Sequence, residues 1–332
     1  MSDLVSVVFP VGPGVRDAGL ALQDVLEQTY RNLEVIAVLN GCDGAVREEL
    51  SHCRDERVTV IDLGEKPCLL DALDVAVEKA QGPWLARMDA DDRCDKTRIE
   101  KQVALLEKGA HEVVSCGISL RKALGEGMQR YVDWVNGLKT PEAVFRERFV
   151  ESPVVQPTVI LSKKVFLEAG GYLDNGFAED YDLWLRLLEK GARFGKVGED
   201  LYFWQDRGDR LTRTDPRFEQ KKMLELKAAA LARMPGVRDR GVAISGAGPI
   251  GRVLGRELRA RGVNVRGFFE VSPKRVGGSC QGRPIAGLDE FGTRWREAIL
   301  LSAVGVAGGR SKVRTLASGE GYREGEDFWC CC

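Results

Sequence analysis

Two hydrophobic patterns alternate along the chain. Short β-branched runs are separated by stretches whose apolar residues recur every three or four positions. Leu4-Val5-Ser6-Val7-Val8-Phe9 is the first such run; Pro10 stops it and glycines follow at 12 and 14, which predicts a buried strand ending in a loop. Leu20, Leu22, Val25 and Leu26 come next at helical spacing, and 33–39 predicts a second strand ending at Asn40-Gly41. The alternation continues with a helix over 44–52, a strand over 57–61, a helix over 69–80 and a strand over 84–88 that runs into Asp89. Strands alternating with helices predict an α/β fold with a parallel sheet and functional loops at the strand C-termini.

A second start lies near residue 241. Val242-Ala243-Ile244-Ser245 predicts a strand, Gly246-Ala247-Gly248-Pro249-Ile250-Gly251 a glycine turn, and 252–261 a helix. A strand over 264–269 ends at Glu270, and 298–304 predicts another. Between the halves, Phe218 to Met234 lacks glycine and is rich in alanine, leucine and charge, which predicts a connecting helix ended by Pro235-Gly236. The expected organisation is a first domain over 1–217, the connecting helix at 218–236, and a smaller Rossmann-like α/β domain over 237–332.

Composition narrows the function classes. A chain of 332 residues is about two domains long, and 44% hydrophobic with 30% charged residues excludes a wholly disordered or fibrous protein. Lys+Arg 49 against Asp+Glu 50 leaves a net charge of -1, without the basic excess of a nucleic-acid binder. No apolar run approaches the roughly 20 residues that span a bilayer, and peripheral membrane contact stays compatible with this. Met1-Ser2-Asp3-Leu4 has neither a basic region nor a small-residue cleavage site, so a cytoplasmic location is expected. Cys42, Cys53, Cys68, Cys94, Cys116 and Cys280 form no C-x-x-C pair and only His52 and His111 accompany them, so reduced, scattered thiols are expected. Cys330-Cys331-Cys332 does not fit a prenylation pattern and receives no role.

The candidate chemistry begins at Ala86-Arg87-Met88-Asp89-Ala90-Asp91-Asp92, where a buried strand becomes a loop. Three acids within four residues repel one another unless a cation or a donor-rich ligand compensates them. A hard divalent ion does so through one or two carboxylates plus substrate phosphate oxygens. In an extended segment Asp89 and Asp91 would face one ligand while Asp92 turns away. Taken alone, a solvated acidic turn or a helix cap explains the cluster at least as well. A second acidic pair, Glu179-Asp180, opens an apolar helix in which Leu183, Trp184, Leu187 and Leu188 have core spacing. Helix capping is the plain reading of that pair.

Together the motifs resemble the family 2 glycosyltransferases, which have the GT-A fold. The resemblance covers about residues 4–215. It rests on Val5-Ser6-Val7-Val8-Phe9-Pro10, Leu26-Glu27-Gln28-Thr29-Tyr30-Arg31-Asn32-Leu33-Glu34-Val35, the acidic segment, Gly170-Gly171-Tyr172 and Glu179-Asp180-Tyr181-Asp182-Leu183-Trp184, in that order. It implies an inverting transferase that uses a nucleotide-diphosphate sugar and Mg²⁺ or Mn²⁺, working in polysaccharide biosynthesis on a glycan, a lipid-linked saccharide or another cell-envelope precursor. By the resemblance, Asp89 lies near the ribose and the metal, Asp91 ligates the metal, and Asp180 is the general base. Pro10, Val11, Asn40, Arg87, Asp89, Glu179, Arg207 and Arg210 are the candidate donor contacts. Two departures matter. The family's acid after the second strand is replaced within Leu39-Asn40-Gly41-Cys42-Asp43, which gives the base contact to Asn40 or removes it. No histidine follows His111, so Arg207, Arg210 and Arg213 are the candidates for the diphosphate instead, and Gln156 stands where a histidine is common.

The glycine turn, Gly246, Gly248 and Gly251 with Glu270 at the next strand's end, is open to three readings. It binds a nucleotide or nucleotide sugar, it merely lets helix and strand pack closely, or it serves NAD(P)-dependent redox chemistry. Two rivals to a transferase follow: a non-catalytic nucleotide-sugar-binding or regulatory protein, and a nicotinamide-dependent sugar oxidoreductase.

Overall fold

Seven consecutive buried residues form β1 (Val5–Val11), apolar except for Ser6, and such a run is what a strand covered on both faces requires. The structure, a computed structural model, describes residues 3–65, 68–122, 125–306 and 308–332, so Met1-Ser2 lies outside it. The chain divides into two compact units, the first made of 1–144, 154–175 and 179–213, the second of 145–153, 176–178 and 214–332.

In the first unit β1 is joined by β2 (Leu33–Leu39), β3 (Val58–Asp62), β4 (Trp84–Arg87), β5 (Arg93–Cys94), β6 (Val113–Lys122), β7 (Ile160–Ser162) and β8 (Phe194–Gln205). They form one sheet in the order β3-β2-β1-β4-β7-β6-β8-β5. The β3-β2-β1-β4 half is parallel. β7 runs antiparallel to both β4 and β6, β6 and β8 are parallel, and β5 is antiparallel to β8. The pleat divides the core. Val5, Val7, Phe9 and Val11 pack with Ala18, Ala21, Leu22 and Val25 of the helix Ala18–Leu26 and with Ile99 and Val103 of the helix Arg98–Leu106. Val8, Ile36 and Val38 pack with Leu73 and Val77 of the helix Leu69–Lys79 and with Leu183, Trp184 and Leu187 of the helix Glu179–Glu189.

Three expectations change, the first being that the sheet is mixed instead of parallel, with β7 and β5 antiparallel to their neighbours. Pro10 lies inside β1 instead of ending it: β4 pairs only with Val5 to Val8, so beyond that point one side of β1 has no strand to which a backbone N–H would donate. Leu20 is 47% exposed, and the small Ala18 and Ala21 take the core side of that helix.

The second unit has its own sheet, formed by β9 (Val242–Ser245), β10 (Val265–Phe269), β11 (Ser279–Cys280), β12 (Arg283–Ala286), β13 (Ile299–Ser302) and β14 (Phe328–Cys330). Its order is β11-β12-β10-β9-β13-β14, parallel except for the β11–β12 pair. The chain leaves β9 to one side for β10 and later to the other for β13, the switch-point arrangement of doubly wound sheets. The helix Gln220–Arg233 belongs to this unit and packs on the helix Pro249–Ala260. Cys330 and Cys331 are buried, and burial pushes the Cys330 thiol up to about 12, which leaves it inert. Among the described residues no helix is long and apolar enough to cross a membrane.

Candidate active site

β4 delivers the acids. After Arg87 the chain turns back, and the Asp92 N–H donates to the Asp89 carbonyl at 3.4 Å. The segment is therefore a turn, not the extended stretch expected, and it gathers all three carboxylates: one oxygen each of Asp89, Asp91 and Asp92 lies within 4.8 Å of the others. Asp92 still differs from its neighbours. It is fully buried, accepting from the Tyr202 hydroxyl at 2.8 Å, the Gln205 N–H at 2.7 Å and the Arg210 guanidinium at 3.3 Å. Burial, reinforced by Asp91 and Asp89 against the pull of Arg210, raises its carboxyl to about 8. Asp92 is a structural anchor for the turn.

Asp89 and Asp91 keep side-chain exposures of 25% and 15%, enough for a ligand to reach them. Buried Arg87 holds Asp89 at 2.6 Å and donates to the Met88 carbonyl, so it orients the turn from beneath. Arg207 reaches Asp91 at 3.1 Å, and Arg210 lies 4.0 Å from Asp89 while stacking on the Trp204 ring at 4.4 Å. Burial and the Asp89 charge raise the Asp91 carboxyl, with Arg210 and Arg207 opposing. Two part-exposed carboxylates offering hard oxygen donors fit a divalent cation shared with phosphate oxygens. Arg213 does not join them, since it pairs with Asp206 at 2.6 Å.

The second acidic pair opens the helix Glu179–Glu189 as expected. One Asp180 oxygen accepts the Tyr181 N–H at 2.7 Å. Desolvation, then the neighbouring Glu179 charge, push the Asp180 carboxyl up to about 7, and the Asp89 charge adds to the push. The half-buried Tyr172 phenol feels the charges of Arg87, Glu179 and Asp180, so this tyrosine lies near both acidic groups. The glycines of its Gly170-Gly171-Tyr172 motif have φ of +91° and +64°, a region costly for other residues. Arg186 pins this turn to the helix, donating to the Gly171 carbonyl at 2.7 Å and to Asp182 at 2.8 Å.

Asn40 follows β2, 3% exposed, and its side-chain oxygen is buried without a partner. Such an oxygen is costly unless a ligand donates to it. Pro10 and Val11 are buried at the adjoining end of β1, paired with Val38 and Leu39. Glu179 is 3% exposed beside Asp180. In the second unit, Gly246 and Gly248 lie in the turn between β9 and the helix Pro249–Ala260, Gly251 lies in that helix's first turn, and each Glu270 oxygen accepts one donor, the Val271 N–H at 2.9 Å or Arg275 at 2.8 Å. Tyr202, Gln205, Trp204 and Arg186 are site residues that no sequence pattern singled out.

Known proteins resemble this chain in sequence and fold. The family model for Glycosyl transferase family 2 matches residues 19–169, which includes the acidic turn and stops short of Asp180. An O-antigen biosynthesis glycosyltransferase of Escherichia coli, WbnJ, is 31% identical over 195 residues, covering 57% of this chain and 73% of that protein. The fold is that of S. aureus TarS 1-349, with a TM-score of 0.57 at 14% identity over 77% of this chain and 71% of that one. TarS 1-349 in complex with UDP-GlcNAc superposes with a TM-score of 0.54 at 13% identity, covering 77% and 72%. The chain belongs to glycosyltransferase family 2 and is a transferase of the GT-A fold.

Proposed function

We propose that the first unit moves a sugar from a nucleotide-diphosphate donor to a hydroxyl of a glycan or cell-envelope precursor, inverting the anomeric centre. Asp89 and Asp91 would hold Mg²⁺ or Mn²⁺, and the ion would offset the charge of the leaving diphosphate. Arg207 and Arg210 sit beside these acids and have the planar donor geometry that suits phosphate. Asn40 offers its unpartnered oxygen to the nucleobase or ribose. Asp180 takes the acceptor's proton as the hydroxyl attacks the anomeric carbon; the bond to the diphosphate oxygen breaks, and its electron pair leaves with that oxygen. The named function of WbnJ, in O-antigen biosynthesis, supports the acceptor class, and the UDP-GlcNAc complex of TarS 1-349, which shares the fold, is consistent with the donor class.

One observation carries this reading: an acidic turn with part-exposed Asp89 and Asp91 able to hold a metal, and a helix-start carboxyl, Asp180, raised to about 7 with the Asp89 charge contributing. A base poised near the working pH is what proton abstraction from a hydroxyl needs. Asp180→Asn is expected to lower kcat by about 10²–10⁴-fold while donor affinity, measured by calorimetry, changes less than about threefold. Equal loss of transfer and donor binding contradicts the base role.

A further inference from the structure

The second unit contains a cleft of about 420 Å³, within the size range of small-ligand sites, and its walls are basic. Arg252, Lys274 and Arg275 line it with Ser279, Gln281 and Ile285. Two of these cations converge on one atom. Arg252 Nε and an Arg275 terminal nitrogen both donate to the Ala247 carbonyl, at 3.1 and 2.5 Å. Two guanidinium groups held on a single oxygen repel each other, and Lys274 adds a third positive charge with no ion pair among the described residues. Glu270, paired with Arg275 at 2.8 Å, is the carboxylate that answers them. The excess positive charge is left facing the cleft.

The glycine turn supplies the setting. A Cβ on Gly251 would lie 1.9 Å from the Gly246 carbonyl oxygen, so Gly251 serves the packing of the turn. A Cβ on Gly248 would meet nothing within 4 Å, so the helix begins beside open space and without a side-chain cap. Each Glu270 oxygen already accepts one donor, the Val271 N–H or the Arg275 guanidinium. The cleft beside it is lined by Arg252, Lys274 and Arg275.

We infer that this cleft binds a diphosphate group, bare or carried on a nucleotide, through Arg252, Lys274 and Arg275. Guanidinium and ammonium groups lining one cleft match the several acceptor oxygens of a diphosphate, which would relieve the repulsion between the two arginines. The site lies within the second unit and holds whether or not the donor-site reading does.

The test is calorimetric titration of the full chain with pyrophosphate, ADP and UDP, in Mn²⁺ and in EDTA. It compares the wild type with the Arg252→Gln/Lys274→Gln double variant. At least one of the three ligands is expected to bind the double variant with one equivalent fewer than the wild type in either medium, or about 100-fold more weakly at that equivalent. Tighter binding of ADP or UDP than of pyrophosphate assigns the carrier as a nucleotide; equal binding assigns the bare diphosphate. Glu270→Gln, which frees Arg275 of its carboxylate, is expected to raise pyrophosphate affinity about threefold. Unchanged stoichiometry and affinity in a double variant that melts like the wild type, or weaker pyrophosphate binding by Glu270→Gln, overturns the assignment. If the donor site needs no metal, the wild type binds two equivalents of UDP in EDTA, while the difference of one between the proteins persists.

Discussion

Asp180 and Asn40 are both held in chemically unfavourable states, and each state predicts a measurement. The Asp180 carboxyl is raised from 3.8 to about 7, so it stays protonated over several pH units in which a free aspartate is ionised. The proposed base role requires the ionised form, so kcat/KM is expected to fall about tenfold per pH unit below about pH 7. The stability consequence has the opposite sign. A carboxyl that binds its proton more tightly when folded stabilises the fold below about pH 4 and loses that contribution as pH rises through about 7. Asp92, raised to about 8, acts in the same direction, so the melting temperature should decline from pH 4 to 8 and decline less in Asp180→Asn. Asn40→Ala removes a buried oxygen that has no partner in the free protein. Donor KM is expected to rise about tenfold while the melting temperature holds or increases, a split that a merely structural asparagine would not give. Asp89, Asp91 and Asp180 are legible in the sequence because short motifs carry them. Tyr202, which anchors Asp92, is 110 residues away and carries no local signal.

At the scale of elements, the two glycines of the second turn separate packing from access. Gly251→Ala forces a methyl to within 1.9 Å of the Gly246 carbonyl oxygen and is expected to destabilise the second unit by about 1–3 kcal/mol or more, seen as a lower unfolding midpoint in urea. Gly248→Ala meets open space and should leave that midpoint nearly unchanged. Element legibility follows burial. β1, β2 and β9 are apolar throughout or nearly so, since parallel strands buried on both faces leave no polar side to blur the pattern. The mixed part of the sheet escapes such reading for the converse reason. β7 has three residues, and β8 carries the exposed stretch Gly198-Glu199-Asp200 in its middle, so neither shows a hydrophobic period. The helix Glu179–Glu189 is readable because its core positions Leu183, Trp184, Leu187 and Leu188 repeat at helical spacing.

Over the whole molecule the net charge of -1 conceals local concentrations that do the chemical work. Asp89, Asp91 and Asp92 are balanced by Arg87, Arg207 and Arg210 in the first unit, and Arg252, Lys274 and Arg275 outnumber Glu270 in the second. Neither grouping shows in composition, because Arg207 and Arg210 reach the acidic turn only when the end of β8 is folded beside it. The central claim is that the acidic turn binds the donor diphosphate through a metal on Asp89 and Asp91. The most direct measurement is the thermal stability of the full chain with UDP and GDP, each with Mn²⁺ and with EDTA, for the wild type and Asp91→Asn. At 100 times its dissociation constant a ligand that binds only the folded state adds about 2.7 kcal/mol, a shift well within detection. One of the two diphosphates is expected to give a Mn²⁺-dependent increment in the wild type that vanishes in Asp91→Asn. An increment that survives in Asp91→Asn, or none in the wild type with either diphosphate, contradicts the metal-assisted donor site.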